Sequence, residues 1–241
     1  MDSPDKNAMG FLEVSPKADR YENVSIDPGS VAAKLAAFIP KGARVLDVGC
    51  GTGSITEVIQ RMTGADFIGI EPDVERAEAA RMRGIKAFQG YLSEAFLKDR
   101  GPFGIILFAD VLEHLPNPAE VVLLAKRGLI PGGSIVASVP NVAHLSVRQD
   151  LFAGDFEYQP FGIMDATHLR WFTKKSLHHF FERLGFQVVG YSVTVNIELP
   201  HYSLRRPWRW FSSPTRRKIV GKLVEKFPTL LGVQHVIKVS A

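Results

Sequence analysis

The sequence predicts an α/β domain built on a parallel sheet with helices on both faces. Three observations carry this prediction. Short apolar runs rich in Val, Ile and Phe alternate with segments whose apolar residues recur at helical spacing, the pattern of strand-helix-strand units. The first such run ends in an acid and opens into a turn holding three glycines, Gly49, Gly51 and Gly53. A chain of 241 residues with 46% hydrophobic content can bury one sizeable core.

Taken in order, residues 1–27 mix polar groups and prolines without periodicity and read as an N-terminal extension, so the domain is expected over 28–241. SVAAKLAAFI predicts a first helix from about Ser30. ARVLDVG then reads as a buried strand, SITEVIQRM as a helix, ADFIGIE as a strand, and DVERAEAARMRG as a helix closed by Gly84. IKAFQ, FGIILFAD and GGSIVASVP continue the strands, with helices at SEAFLKD and PAEVVLLAKRGL between them. Such alternation requires a parallel sheet covered on both sides. Residues 140–172 break the pattern with aromatics and histidines and are expected to shape a substrate pocket, since irregular sequence after a strand's C-terminal end is where α/β proteins bind ligands. TKKSLHHFFERLG predicts a helix and FQVVGYSVTV a strand. Residues 198–230 form an insertion carrying Pro200, Pro207, Pro214 and Pro228, and GVQHVIKV supplies a last strand.

Charge is unevenly spread. Residues 204–226 hold Arg205, Arg206, Arg209, Arg216, Arg217, Lys218, Lys222 and Lys226 against Glu225 alone, a net +7 that leaves −3 for the rest of a chain whose total is +4. A mildly acidic body argues against a broad nucleic-acid surface and for one local anionic partner. In the insertion, Trp208, Trp210 and Phe211 interleave with the arginines, and Ile219, Leu223, Val224 and Phe227 are expected along one helical face. Such a segment suits either an anionic membrane surface or a lid whose apolar face packs on the domain. The single cysteine, Cys50, excludes an intramolecular disulfide framework. The N-terminus lacks the basic start and apolar run of a signal peptide, and no run approaches the roughly 20 apolar residues of a bilayer span. A cytoplasmic protein, with contact at the inner membrane face through 204–226, is the expectation.

The glycine turn suggests the chemistry. Glycines let backbone approach a ligand, while Asp47 before the turn disfavours a phosphate beside it. The GxGxG spacing and the acid fit a zwitterionic amino-acid ligand better than a pyrophosphate, and Glu71, ending the second strand, can accept hydrogen bonds from ribose hydroxyls. VLDVGCGTG, FIGIEPD and FADVLEHLPNP, in this order and spacing, resemble the class I S-adenosylmethionine-dependent methyltransferases. The resemblance covers about residues 28–190. It implies a Rossmann-like, seven-stranded, mostly parallel sheet whose last strand runs antiparallel, and S-adenosylmethionine as cofactor. It also implies Gly49, Gly51 and Gly53 along the methionine part, Asp47 near its amino group, and Glu71, Pro72 and Asp73 at the ribose. Gly90, Tyr91 and Leu92 would lie near adenine, Tyr91 standing where the family often carries an acid, and Ala109, Asp110, Val111 and Leu112 would form the floor.

Methyl transfer to a hydroxyl requires the acceptor to be positioned and deprotonated, and His is the natural base near neutral pH. His114, His144 and His168 follow the fourth and fifth strands. Each also has a structural role open to it, as turn cap, surface residue or loop brace. The stretch from Pro140 to Leu177 resembles a bacterial methyltransferase subgroup of cell-surface polysaccharide and natural-product pathways, in which D-x-T-H-x-R recurs; Asp165, His168 and Arg170 match it here. The resemblance implies His168 as base or acceptor-orienting residue and Arg170 as a grip on an anionic acceptor group. Metal-free chemistry is expected. Asp110, Glu113, His114 and His168 form the alternative set for a divalent cation, similar to metal-dependent O-methyltransferases of ubiquinone precursors or RNA 3′ ends. The acceptor expected is a hydroxyl on a saccharide, lipid-linked or other small natural-product intermediate, with metal-assisted O-methylation of RNA or a quinone precursor as the alternative. A non-catalytic cofactor-binding module is the competing reading from another class.

Overall fold

The strands are β1 (Arg44–Val48), β2 (Asp66–Glu71), β3 (Lys86–Gln89), β4 (Phe103–Ala109), β5 (Leu129–Pro140), β6 (Gln187–Val193) and β7 (Gln234–Ser240). They form one sheet of order β3-β2-β1-β4-β5-β7-β6 in a computed structural model that describes residues 24–196 and 212–241. Pairings within β3-β2-β1-β4-β5 are parallel, and β7 runs antiparallel to both β5 and β6. This is the Rossmann-like sheet the sequence predicts, with its reversed strand at the predicted place.

Side-chain alternation divides the core into two layers. Leu46, Ile106, Phe108, Ile135 and Ile237 point to one face, where they pack with Leu177 and Phe181. Val45, Ile105, Leu107, Val136 and Val236 point to the other, against Leu35 and Ile59. The first face is covered by α4 (Glu94–Arg100), α5 (Pro118–Lys126) and α7 (Lys174–Arg183). The second is covered by α1 (Val31–Ala36) and α2 (Ser54–Thr63), while α3 (Val74–Met82) packs beside Cys50 and Ile85. Side-chain caps set the helix starts: Ser30 accepts from the Ala33 N–H, Asp73 from Arg76, and Ser93 from Phe96. Thr173 and Ser176 form a reciprocal capping box on α7.

The structure departs from the sequence reading in three places. β5 begins at Leu129, before the Gly132-Gly133 pair, because Phe103 pairs with Leu129 and the register then shifts so that Ile105 meets Ser134. Within 140–172 a helix, α6 (Leu145–Phe152), forms where irregular chain is expected; the buried His144 caps it by accepting the Ser146 N–H at Nδ1. The insertion contributes α8 (Ser213–Lys226) and α9 (Pro228–Leu231). Its buried face is not the one read from sequence: Val220 and Val224 are enclosed against Val193 and Leu231, with Leu223 beside them, whereas Phe227 is exposed. The apolar side of α8 thus packs on the domain, and Lys218, Lys222 and Lys226 face outward. Arg205, Arg206, Trp208, Arg209, Trp210 and Phe211 lie outside the described residues. No helix among the described residues is long and apolar enough to cross a membrane.

Candidate functional site

A cavity of about 1570 Å³ opens along the C-terminal edge of the parallel strands. Its volume exceeds the roughly 300–1,000 Å³ typical of a site for one small ligand. Cofactor and acceptor can therefore share it.

One end is built from the β1 turn. Asp47 closes β1 and is 1% exposed. Thr56 Oγ1, on α2, donates to its Oδ2 at 2.5 Å, whereas Oδ1 is buried with no hydrogen-bond partner among the described residues. Burial, only partly offset by Thr56, pushes this carboxyl up to about 7. An ammonium group in the cavity would satisfy Oδ1 and restore the charge. Gly49, Gly51 and Gly53 all hold positive φ. A Cβ on Gly51 would meet nothing within 4 Å, so the clearance there opens onto the cavity; at Gly49 it would press on Val111 at 3.0 Å. Glu71 closes β2 and is buried. Its Oε2 accepts the Gly51 N–H at 2.9 Å and its Oε1 the Asp73 N–H at 3.1 Å, leaving one lone pair on each oxygen for hydroxyl donors. Pro72, Gly90, Tyr91, Leu92, Ala109 and Val111 also line this end. Gly53 and Asp73 do not. Gly53 instead starts α2 with its Cβ position against Ala80, and Asp73 caps α3.

The other end is assembled at the turn after β4. Asp110 lines the cavity with φ 54, a left-handed conformation that Asp tolerates. Its carboxylate is held by Ser138 Oγ at 2.7 Å and Gln234 Nε2 at 2.7 Å. The next turn, Leu112–His114, is a 3₁₀ helix that directs Glu113 inward. Glu113 is 1% exposed, and neither carboxylate oxygen has a hydrogen-bond partner among the described residues. Burial, with Asp110 and Asp165 nearby, raises its carboxyl well above the ordinary range. The Glu113 carbonyl accepts the N–H groups of Leu169 and Arg170, drawing the D-x-T-H-x-R loop against this turn.

In that loop Asp165 Oδ1 accepts from the Thr167 N–H and hydroxyl. His168 Nδ1 lies 3.1 Å from the Ile163 carbonyl and so acts as its donor, which leaves Nε2 with the lone pair. Burial, with His114 beside it, lowers the His168 pKa and keeps the ring neutral. His114 Nδ1 donates in the same way to the Thr167 carbonyl, and the two imidazoles meet edge to face at 4.9 Å. Ligand atoms of Glu113, His114 and His168 lie within 4.8 Å of one another. Of the four residues expected as a divalent set, Asp110 stays out because Ser138 and Gln234 occupy its carboxylate. Arg170 is not a cavity residue either: its guanidinium donates to the carbonyls of Leu169 and Pro116. His144 serves as a helix cap. Sequence reasoning missed Thr56, Ser138 and Gln234, small or neutral partners that become visible only once strands and helices are juxtaposed.

A family model described as "Methyltransferase domain" matches residues 23–191. The chain is 32% identical over 140 residues to a ubiquinone biosynthesis O-methyltransferase of Psychrobacter arcticus, covering 54% of each, and 36% identical over 106 residues to one of Xylella fastidiosa, covering 42% of this chain and 43% of that protein. It thus spans about half the length of these curated relatives. Among solved structures, a SAM-dependent methyltransferase from Archaeoglobus fulgidus superposes with TM-score 0.60 at 22% identity, over 88% of this chain and 93% of that one. Magnesium protoporphyrin IX methyltransferase from Synechocystis, with bound SAM, superposes at 0.50 and 12% identity, over 87% and 75%. The unpartnered Asp47 oxygen, the cleared Gly51 and the free lone pairs of Glu71 fit the ammonium, backbone and ribose of that cofactor. This chain belongs to the class I S-adenosylmethionine-dependent methyltransferases.

Proposed function

We propose that the protein is an O-methyltransferase for a phenolic hydroxyl of a small, quinone-precursor type acceptor, assisted by a divalent cation held by Glu113, His114 and His168. The observation that carries this reading is the buried Glu113 carboxylate, both of whose oxygens lack hydrogen-bond partners among the described residues, beside two imidazoles whose Nδ1 donors leave the Nε2 lone pairs free. A buried carboxyl with no partner is costly, and a cation would meet that cost. One carboxylate and two imidazoles suit a divalent transition metal or zinc. Such a cation supplies Lewis acidity that lowers the acceptor hydroxyl's pKa and orients it.

The chain's own residues do the rest. Asp47 and Glu71 anchor the two polar ends of the cofactor, and Ser138 and Gln234 hold Asp110 in the cavity wall at the turn after β4. The Ile163 and Thr167 carbonyls fix both imidazole tautomers so that Nε2 stays available. Transfer would be an in-line displacement: the phenolic O–H would first lose its proton to solvent water, the resulting oxygen would bond to the methyl carbon, and the carbon–sulfur bond would break with its electron pair left on the sulfur of S-adenosylhomocysteine. The names of the curated relatives support a quinone-precursor acceptor. Arg170, expected as a grip on an anionic acceptor group, is instead engaged with backbone carbonyls. The test is calorimetric titration of the purified chain with MnCl₂, together with methyl transfer to catechol in chelator and in added metal. One metal site that disappears in Glu113→Gln, with transfer abolished by chelator and restored by metal, is expected. Transfer at full rate in chelator would overturn the metal's role.

A further inference from the structure

On the acceptor side of the cavity stands a cation that no part of the cofactor machinery uses. Lys174 is the first residue of α7 and lines the cavity half-buried. Among the described residues it makes no ion pair; its ammonium rests on the face of the Tyr191 ring, 4.4 Å from the centroid. Tyr191, also on the cavity wall, carries its hydroxyl 2.8 Å from His235 Nδ1. Burial, with His178 and Lys174 nearby, lowers the His235 pKa to about 4, so the ring that shares this hydrogen bond is neutral. His178, edge-on to Tyr191 at 5.4 Å, likewise has its pKa lowered by burial and by Lys174. The groups packed around the ammonium are therefore an aromatic face and two neutral imidazoles.

The position is also unfavourable for a lysine on helix grounds. The first turn of α7 contains Lys174 and Lys175 and no acid, so two positive charges sit at the positive end of the helix dipole. A half-buried ammonium with no carboxylate partner, at a helix N-terminus and facing a ligand cavity, calls for an anion from the ligand.

We propose that Lys174, backed by Tyr191, forms an acceptor subsite that selects molecules carrying a carboxylate, and that the methylated substrate is an acidic phenol rather than a neutral one. The inference rests on the O-methyltransferase reading for the nature of the acceptor, but the anion site stands on its own geometry. It is tested by calorimetric titration of the chain loaded with S-adenosylhomocysteine, in metal-free buffer, with 3,4-dihydroxybenzoate and with catechol. The wild type is expected to bind 3,4-dihydroxybenzoate at least about tenfold more tightly than catechol, since a hydrogen bond to a charged group contributes about that factor. Lys174→Met should abolish the preference and Lys174→Arg should retain most of it, with both variants melting within a few degrees of wild type. Equal affinities in the wild type, no binding of either compound, or a preference that persists in Lys174→Met would overturn the subsite. If the preference behaves as expected while metal titration and methyl transfer fail, it is the O-methyltransferase reading that falls.

Discussion

The two ends of the cavity answer the same electrostatic problem with differently made parts. At the cofactor end, the buried Asp47 has an oxygen without a hydrogen-bond partner among the described residues, and it comes with its partner Thr56 from a single strand-turn-helix unit spanning Val45 to Thr56. At the acceptor end, the buried Glu113 has two such oxygens, and its surroundings come from the turn after β4, the loop at 163–168 and the start of α7. Each end keeps a carboxylate that burial pushes toward the neutral form, and each can receive a cation: an ammonium at Asp47 and a metal at Glu113. The difference is that Asp47 is set by local structure and Glu113 by tertiary structure.

If that comparison is right, the largest effect belongs to Asp47. Asp47→Asn should weaken S-adenosylhomocysteine binding about 100-fold by calorimetry, because it removes the charge that pairs with a buried ammonium. The wild-type affinity should fall about tenfold per pH unit below about 7, as Asp47 takes up a proton. In the free protein the sign reverses. The folded-state value of about 7 lies above the ordinary 3.8, so the group's contribution to stability is fully present below pH 3.8 and is lost as pH rises, the loss being complete near 7. Its size is bounded by about 4 kcal/mol. Free Asp47→Asn should therefore melt above wild type at pH 8, by up to about 10 °C, and together with it below pH 4. A variant that binds the product normally would dissolve the distinction between the two ends.

At the acceptor end, His168→Ala should lower turnover with a catechol acceptor by about 100-fold or more while leaving the S-adenosylhomocysteine dissociation constant within about twofold. Loss of both together would mean that the loop at 163–168 supports the cofactor end as well. Unchanged turnover would remove His168 from the chemistry.

The same contrast explains what could be read from sequence. Asp47, the glycine turn and Glu71 are legible because backbone conformation and strand-end position dictate residue type within a short window. Their roles follow from φ values and strand ends that local sequence already implies. Glu113, His114 and His168 are visible as residue types, but nothing in their spacing says that the Glu113 carbonyl will capture the Leu169 and Arg170 N–H groups. Nor does it say that Gln234, far along the chain on the reversed strand β7, will take the Asp110 carboxylate out of the cluster. Lys174 sits in a plain amphipathic helix signal and becomes notable only beside Tyr191. The face of α8 was misread because Ile219 and Val220 are equally apolar; the choice between them is made by where Val193 and Leu231 stand.

The smallest effect concerns the part of the cavity wall that α8 supplies. Arg217 on α8 pairs with Asp27 in the segment before α1, and both line the cavity. That segment is tied to the chain after β6 by the Val195 N–H donating to the Gly29 carbonyl at 2.9 Å. The ion pair therefore joins α8 to the segment before α1 at the cavity wall, in addition to the apolar seating of Val220 and Val224. The Arg217 side chain is 56% exposed, so screening limits the pair to at most about 1 kcal/mol. Arg217→Ala should accordingly speed S-adenosylhomocysteine release by no more than about fivefold in stopped-flow measurements at low salt, and the difference should vanish near about 1 M salt, where the screening length is about 3 Å. A larger, salt-independent acceleration would mean that α8 is held by the ion pair rather than by its apolar face, and would make this part of the cavity a gate instead of a fixed wall.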